Sequence, residues 1–585
     1  MDKTTPLQRV LGLDIGRINT RAMLFGIYQE KYRLLGSQSA STSLGNEQSL
    51  AHDVTRAIDL LQEQTGVMIS RSGASQVLAH DPLGRGADRL ALVASVGDSI
   101  PTVLLGLAPA GSLKAGRALV DSLPLKLKGV FDIGNLLDEP GVIRDILLSR
   151  PEILILTGGE DAGAETSIMR WIEALRTVCL QFPEPVKPLI LYAGNPLIQS
   201  AVKRSLEPLA KLLVAPNIQP EHGTYDLVPA AVYLDREIIK KWGNANPGLA
   251  DLTDHSANHT GTVTFAQDRM MRYLSRAKQT ADNDGRKEGL LAVNLGGAHT
   301  RISAGMRGLA GTVELPVWQG LPGHDAVSAC QAIHKWSVEP VSFQEAEVYY
   351  QQQALFPGLI PDTQKELALS LAYARHRLQR GLARLSRNYD WFAYDQDAGL
   401  SGHYEPIIAS GAILTRAPTP GHVMAVLLDG IQPRGITTIV LDRYQVLPLL
   451  GKVAEAESLL PVHLLESDAF VNLGTVVTAV SDLPSDRLVL TVDVQLDSGQ
   501  SYTVEIGQGY LRRLDIPVGV SAVLNLQPHH RTDVGFGGAG IGGRLKVIGG
   551  QLGVVIDARG RPLRLPTDST TRTATIQRWL WALGV

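Results

Sequence analysis

The feature that most constrains the fold is a strand-turn-strand unit at the start of the chain. A mainly apolar run from Val10 to Leu13 is followed by a polar turn with Asp14 and Gly16, and a second apolar run ends at Phe25. Gly16 lets the backbone approach an anion closely, and successive amide N–H groups in a tight turn form a concave anion site. Asp-x-Gly turns are also common in ordinary hairpins. Taken alone, the unit predicts a hairpin that either binds phosphate or is an ordinary turn between two strands.

A second unit of the same kind lies about 280 residues further along the chain. Its apolar run ends at Asn294, and the turn carries Gly296 and Gly297 before the chain turns apolar again. A third segment, a short apolar strand, ends in Ser410, Gly411 and Ala412 ahead of a helical stretch. Because a second hairpin of the same kind and a third glycine-containing segment accompany the first hairpin, phosphate binding is favoured over an ordinary hairpin turn.

Composition narrows the class of protein. The chain has 585 residues, 44% hydrophobic and 19% charged, which is ordinary for globular proteins and long enough for about three or four domains. A net charge of −3 provides no field that would attract nucleic acid or an anionic membrane. Cys179 and Cys330 are the only cysteines, so a disulfide framework is not expected. No apolar run reaches about 18 residues, and we therefore predict a cytoplasmic protein without a membrane span.

Hydrophobic periodicity predicts an α/β fold with a β-rich end. Short apolar strands alternate with helical stretches from 76 to 242, a loop is expected over 244–259, and 363–385 has the pattern of a long amphipathic helix. The four arginines of that helix are expected on a solvated face. Beyond 461 the helical period ends, and alternating segments such as 487–495, 501–506 and 545–556 predict strands. The expected domains are 1–285, a first lobe with an inserted α/β segment, 286–460, a second lobe with a helical insertion, and 461–585, a β-domain.

Several motifs resemble one family. The segments 153–163, 191–195, 427–437 and 551–562 are similar to those of the glutamate mutase accessory family called MutL or GlmL, within the actin-like, sugar kinase and heat-shock chaperone ATPase superfamily. The resemblance implies two actin-like (ribonuclease H-like) lobes around a nucleotide cleft, followed by a C-terminal all-β domain. It also implies ATP and Mg2+ as cofactors. The implied activity is that of an ATPase, and the implied protein partner is a cobalamin-dependent mutase that the ATPase assists.

The resemblance assigns residues to the nucleotide site. Asp14 is expected to hold the metal ion and to serve in catalysis, since a carboxylate binds Mg2+ through water. From the residues themselves, Asp161 and Asp268 are candidates to orient the attacking water; the alternative role is a helix N-cap for Asp161 and a solvated helix residue for Asp268. The expected nucleotide-binding residues are Gly16, Asn19, Thr20 and Arg21 in the first hairpin, Gly296, Gly297, Ala298 and Thr300 in the second, and Ser410, Gly411 and Ala412 in the third segment.

The chain departs from the family pattern at the two turns. Asn294 stands where an aspartate is usual, Arg17 and Ile18 where small hydroxyl residues are usual, and His299 and Arg301 where threonine and aspartate are typical. An amide cannot act as a base and binds Mg2+ less well than a carboxylate, whereas an arginine still pairs with phosphate. Two functions therefore stay open: a weak ATPase, or a non-catalytic actin-like scaffold that forms homo-oligomers or filaments.

Overall fold

The computed structural model describes residues 9–43, 49–71, 76–256, 259–281, 288–317, 324–396 and 398–585. The elements up to 281 are β1 (Arg9–Ile15), β2 (Asn19–Tyr28), β3 (Lys31–Ser41), α1 (Ser49–Thr65), β4 (Arg89–Ala94), β5 (Ile100–Leu105), α2 (Ser112–Asp121), β6 (Leu125–Phe131), α3 (Glu139–Ser149), β7 (Ile153–Gly158), α4 (Glu165–Gln181), β8 (Leu189–Gly194), α5 (Gln199–Leu206), β9 (Leu212–Val214), α6 (Val228–Ala245), α7 (Pro247–His255), β10 (Thr260–Thr262) and α8 (Val263–Ala281).

The rest of the chain continues with β11 (Glu288–Leu295), β12 (His299–Met306), β13 (Leu309–Pro316), α9 (His324–Trp336), α10 (Phe343–Leu355), α11 (Gln364–Asn388), β14 (Ala393–Asp395), β15 (Gly399–Ser401), β16 (His403–Ser410), α12 (Ala412–Thr415), α13 (Pro420–Ile431), β17 (Gly435–Asp442), α14 (Leu447–Val453) and α15 (Leu459–Leu465). The last part contains β18 (Phe470–Thr478), β19 (Val480–Ser481), β20 (Leu488–Leu496), β21 (Ser501–Gly507), β22 (Leu511–Leu514), β23 (Ser521–Pro528), β24 (Thr532–Asp533), β25 (Gly543–Ile548), β26 (Val554–Asp557) and α16 (Ser569–Ala582).

The two halves of the molecule share one sheet topology. In the first lobe the strand order is β10-β4-β1-β2-β3, with β1, β2 and β3 antiparallel and β4 parallel to both β1 and β10. In the second lobe β13-β12-β11-β16-β17 repeats this order, and β16 is parallel to β11 and β17. Each is a ribonuclease H-like sheet, and the expected pair of actin-like α/β lobes is confirmed.

A third sheet lies in the segment inserted between β4 and β10. Its five parallel strands are ordered β6-β5-β7-β8-β9, with α2, α3, α4 and α5 in the connections. The β7 strand is buried along its whole length, as parallel strands covered by helices on both faces must be. The predicted alternation of strands and helices is confirmed here.

The two lobes are joined by a shared hydrophobic core. Val10, Met23 and Phe25 of the first lobe pack in one cluster with Met270 of α8 and Leu449 of α14. The approach is close enough that a Cβ atom on Gly12 would lie 2.1 Å from Leu449 Cδ2. A helix of the second lobe thus covers one face of the first-lobe sheet.

The C-terminal region is β-rich, as predicted, and is built onto the second lobe. β18, β26 and β22 extend the second-lobe sheet to eight strands, while β21-β20-β23-β25 form a separate antiparallel sheet. The last helix, α16, was not predicted, because its first half is polar and its apolar residues are concentrated in its second half; Ile576 and Trp579 are its buried side chains. The expected strand over 545–556 is two strands, because the chain turns at Gly550 and Gly553, and Gly553 has a φ of +62°.

The prediction of a loop over 244–259 is also wrong for most of that segment. The chain forms α7 there, starting at Pro247, whose fixed φ suits the first turn of a helix. Leu249 and Leu252 are buried in the core of the first lobe, which stabilises a helix that polar neighbours obscure in the sequence. None of the described helices is long and apolar enough to cross a membrane. Both cysteines are free and buried, and the cytoplasmic location stays a prediction.

Candidate functional site

The two turns noted in the sequence have the same geometry. In the first hairpin the Gly16 amide donates to the Asn19 carbonyl over 3.0 Å, and Asp14 pairs with Arg21 across the strands. In the second, the Gly296 amide donates to the His299 carbonyl over 3.0 Å, and Asn294 pairs with Arg301. Corresponding residues are therefore 280 positions apart throughout both turns.

Both turns face one cavity of about 400 Å3. The hairpins supply polar groups, while α11, α12 and the segments beside them supply apolar groups such as Leu367, Leu371 and Ile413. A cavity with convergent polar groups and an apolar wall is the usual form of a small-molecule site. The hairpin residues that line it are Asp14, Gly16, Arg17, Ile18, Asn19, Arg21, Asn294, Gly296, Gly297, Ala298, His299 and Arg301.

Four predicted binding residues do not line the cavity. Thr20 and Thr300 are buried behind the turns, where Thr20 Oγ1 lies 2.9 Å from Thr42 Oγ1. Ser410 Oγ donates to the Asp442 carbonyl over 3.2 Å. Gly411 has a φ of +96°, and a Cβ atom there would lie 2.4 Å from the Leu295 backbone, so this position requires glycine. Of the third segment, Ala412 is the predicted residue that reaches the cavity.

The first hairpin carries a carboxylate next to a guanidinium. Asp14 Oδ2 lies 4.0 Å from Arg21 Nη1, which also donates to the Tyr444 carbonyl over 2.9 Å. Burial raises the pKa of Asp14 above its usual value, and the charges of Arg21 and Arg301 oppose that rise. Among the described residues, no group of three or more His, Cys, Asp or Glu side chains could hold a metal ion. Asp14 is the carboxylate that the two hairpins present to the cavity, and one or two carboxylates are what Mg2+ needs from a protein when phosphates complete its shell.

The second hairpin carries a buried ion pair instead. Arg301 Nε donates to Glu314 Oε2 over 2.9 Å, and Thr264 Oγ1 donates to the same oxygen over 2.7 Å. Burial alone would raise the pKa of Glu314, but the charges of Arg301 and His299 and the hydrogen bonds from Thr264 and Arg301 together outweigh it and lower this pKa to about 2. Arg301 is therefore held as a cation beside the neutral amide of Asn294.

The arginines of α11 correct the expectation of a solvated face. Arg375 and Arg377 are each 3% exposed, and Arg384 is partly buried in an ion pair with Asp121. Arg377 donates to the carbonyls of Gly296 and His299 and to Thr300 Oγ1, at 2.6, 2.9 and 2.8 Å.

Sequence reasoning missed Arg377 as a residue of the site. The available signal was its position four residues from both Tyr373 and Gly381, which share its helix face and are buried.

Asp161 lies away from the cavity. It is exposed at the end of β7 in the inserted segment, and its Oδ1 accepts from Asn217 Nδ2 over 2.9 Å. It is not the N-cap of α4, which is Ala164, because Gly158 and Gly159 turn the chain through positive φ before that helix begins. The structure therefore does not bring Asp161 together with Asp14.

Asp268 is not among the described residues that line the cavity either. It is buried on α8 and accepts from Arg272 Nη2 over 3.1 Å and from Thr312 Oγ1 over 3.0 Å. Because both of its oxygens have donors, Asp268 has a structural role in the core between α8 and the second-lobe sheet.

Ile18 brings the two turns into contact. A Cβ atom on Gly297 would lie 2.5 Å from Ile18 Cδ1 and 2.2 Å from the Pro357 carbonyl oxygen. The residue that departs from the usual small hydroxyl type therefore packs on the opposite turn. His299 also lines the cavity, and burial lowers the pKa of its imidazole, so this side chain is neutral near pH 7.

A family model described as MutL protein matches residues 10–469. The chain belongs to the MutL family. This membership confirms the resemblance found in the motifs of the sequence. No curated protein matches the chain at a significant level.

Solved structures of kinases are similar in fold to this MutL family chain. Gluconate kinase from Lactobacillus acidophilus is 11% identical, with 77% of this chain and 89% of that chain covered and a TM-score of 0.28. Xylulose kinase from Bifidobacterium adolescentis is 12% identical, with coverages of 77% and 94% and a TM-score of 0.27. A ROK family glucokinase from Streptomyces griseus, solved with glucose and AMPPNP, is 9% identical, with coverages of 77% and 99% and a TM-score of 0.26.

Proposed function

We propose that this protein binds ATP between its lobes and acts as an accessory or reactivating ATPase for a cobalamin-dependent mutase. The observation that carries the proposal is the pair of hairpins with one register that face the same cavity. Membership of the MutL family supports the mutase as the partner. The nucleotide state would alter the contact between the lobes and so the surface offered to the partner.

In this proposal the cavity receives the nucleotide in one orientation. The phosphates lie between the turns, near the backbone of Gly16 and of Gly296 to Ala298, with Arg21 as a charged donor. The base lies against the apolar wall that includes Leu371 and Ile413. Asp14 is the residue that would hold Mg2+, and this ion would neutralise charge on the phosphates.

Hydrolysis is expected to be slow. Phosphoryl transfer to water depends on a group that orients the water and on electrostatic stabilisation of the transferred phosphate. Asn294 provides an amide where the family pattern has an aspartate, and Asp161 and Asp268 do not line the cavity. The protein would therefore hold ATP for longer than it takes an efficient ATPase to cleave it.

Calorimetric titration with ATP, in the presence of Mg2+ and of EDTA, tests the binding site. We expect saturable binding to the wild type and weaker Mg2+-dependent binding to Asp14→Asn. Asp161→Asn is the matched control, because Asp161 is an exposed aspartate outside the cavity, and it should bind as the wild type does. The absence of saturable ATP binding to the wild type would contradict the proposal.

A reactivation assay tests the partner. Glutamate mutase whose bound cobalamin has been oxidised should exchange it for intact cofactor and regain turnover when this protein, Mg-ATP and free adenosylcobalamin are added, and should not do so when Asp14→Asn replaces the wild type. If ATP binds but no reactivation occurs, the nucleotide site stands and the assignment of the partner is wrong.

A non-catalytic scaffold is the second candidate function. Asn294 favours it, because an amide cannot act as a catalytic base. Ile18 also favours it, because this side chain packs on Gly297 across the cleft. Sedimentation velocity with and without ATP distinguishes the two functions. A particle that stays monomeric under all conditions argues against the scaffold.

A further inference from the structure

We propose that Arg377 is a positioning residue for the phosphate site, and that a phosphate bound to the second hairpin compensates its buried positive charge. This inference rests on the proposed function, because it requires an anion in the cavity. It concerns a side chain on α11 that lies behind the turn rather than among the cavity-lining residues.

Arg377 holds the turn by its carbonyl groups. It donates to the Gly296 and His299 carbonyls and to Thr300 Oγ1, so three acceptors of one turn surround a single guanidinium. In a trans peptide unit the N–H points opposite to the C=O. The Gly297 amide therefore points away from Arg377, and Gly297 is a residue that lines the cavity. The hydrogen bond to Gly296 thus aims and polarises a donor toward the place where a phosphate would lie.

The charge of Arg377 has no carboxylate partner within the described part of the chain. Arg377 is 3% exposed, and burial lowers its pKa to about 10. It is still a cation near pH 7. A buried charge is costly unless an opposite charge lies near, and neutral carbonyl groups compensate it only in part.

Arg375, one of its neighbours on α11, shows the ordinary solution. It is equally buried, but Arg375 Nε donates to Asp429 Oδ2 over 2.8 Å. Asp429 also accepts from Arg559 over 2.7 Å, and Arg559 pairs with Asp557, so the charge of Arg375 lies in a buried network that contains two carboxylates. Two arginines of one helix are therefore equally buried, but Arg375 pairs with a carboxylate, whereas Arg377, next to the second turn, pairs with none among the described residues.

Calorimetry with three variants tests the inference, with ATP, pyrophosphate and adenosine as probes. Arg377→Met should weaken ATP and pyrophosphate binding by about 10- to 100-fold, the usual effect of losing a hydrogen bond to a charged group, and leave adenosine binding unchanged. Arg377→Lys should recover part of the loss, since it keeps the charge but not the planar fork. Arg375→Met is the control and should bind all three probes as the wild type does.

Thermal unfolding provides a readout that a merely structural role would not move. The ATP-induced rise in Tm should disappear in Arg377→Met, whereas Arg375→Met should have a lower Tm without ATP and keep the ATP-induced rise. If Arg377→Met does not fold, Arg377→Gln, which keeps an N–H donor without the charge, should show the same loss of ATP and pyrophosphate binding. Equal affinity of the wild type and the uncharged variants for pyrophosphate overturns the inference, whereas no ATP binding by the wild type contradicts the proposed function itself.

Discussion

The two hairpins have the same turn and the same register, yet different groups hold them in place. Behind the first lie two hydroxyl groups, Thr20 and Thr42, and its arginine, Arg21, is 19% exposed. Behind the second lies a buried guanidinium, Arg377, and its own arginine forms a buried ion pair. Equal backbone geometry therefore does not imply equal chemistry, because the neighbours of a turn set its charge.

This difference separates two tasks, holding Mg2+ and binding phosphate, that both hairpins of a family member are expected to share. The first hairpin keeps a carboxylate, Asp14, and in the proposed site it is the side that would hold Mg2+. The second has no carboxylate between 294 and 301, and Arg301 and Arg377 place two cations there against Glu314. In the proposed nucleotide site, the second hairpin would therefore bind phosphate without a metal ion.

The largest expected difference between the hairpins is in stability. Arg301→Met leaves Glu314 buried without its cation and should lower the free energy of unfolding by about 3–5 kcal/mol. Arg21→Met removes one hydrogen bond to a carbonyl at a more exposed site and should cost about 1 kcal/mol. Urea unfolding measures both values. The double variant Arg301→Met/Glu314→Leu should be more stable than Arg301→Met. The absence of this recovery would show that breaking the ion pair is not what destabilises Arg301→Met.

The pH dependence of stability should have opposite sign at the two hairpins. The pKa of Glu314 is about 2 in the folded state against 4.5 in the unfolded chain, so its contribution of about 3 kcal/mol is present above pH 4.5 and lost as the pH falls toward 2. The pKa of Asp14 is raised, so its ionisation destabilises the fold as the pH rises through the folded-state pKa. Urea unfolding between pH 2.5 and 7 should show a weaker acid loss in Glu314→Gln and a stronger one in Asp14→Asn.

Restoring a carboxylate to the second hairpin should have an effect of intermediate size, and this effect should be on the rate of ATP turnover. Asn294→Asp places an acid at the cavity and next to Arg301, and we expect ATP hydrolysis to rise about tenfold or more. Phosphate release measures the rate. The same substitution combined with Asp14→Asn should give no rise, because the first hairpin would then lack its metal ligand. An unchanged rate in Asn294→Asp would show that another group limits hydrolysis.

The smallest expected effect comes from the contact between the turns. Ile18→Thr removes apolar contact with Gly297 and restores the hydroxyl type of the family pattern. We expect a loss of stability below about 1 kcal/mol, since the side chain is only partly buried, and a change in ATP affinity of less than about tenfold. A larger loss of stability would mean that the contact between Ile18 and the second turn holds the lobes together.

Local patterns were sufficient to predict many elements of the fold, but not the elements and contacts that depend on distant parts of the chain. The strands of the inserted sheet other than β6 and the long helix α11 follow from apolar runs and helical spacing, because these depend on a few adjacent residues. The helix α7 was missed because Leu249 and Leu252 are buried by parts of the chain far away in sequence. The burial of Arg375 has the same origin, since its partner Asp429 lies on another helix.

The sequence alone determined that two similar glycine turns exist and that they differ at Asn294, because spacing and residue type are local properties. Only the tertiary structure decided that both turns face one cavity, that Asp161 is absent from its lining, and that Arg377 supports the second turn. The physical reason is that burial and charge compensation depend on which distant elements pack together. A residue pattern specifies which groups the chain carries, whereas the packing of the two lobes specifies which of these groups meet.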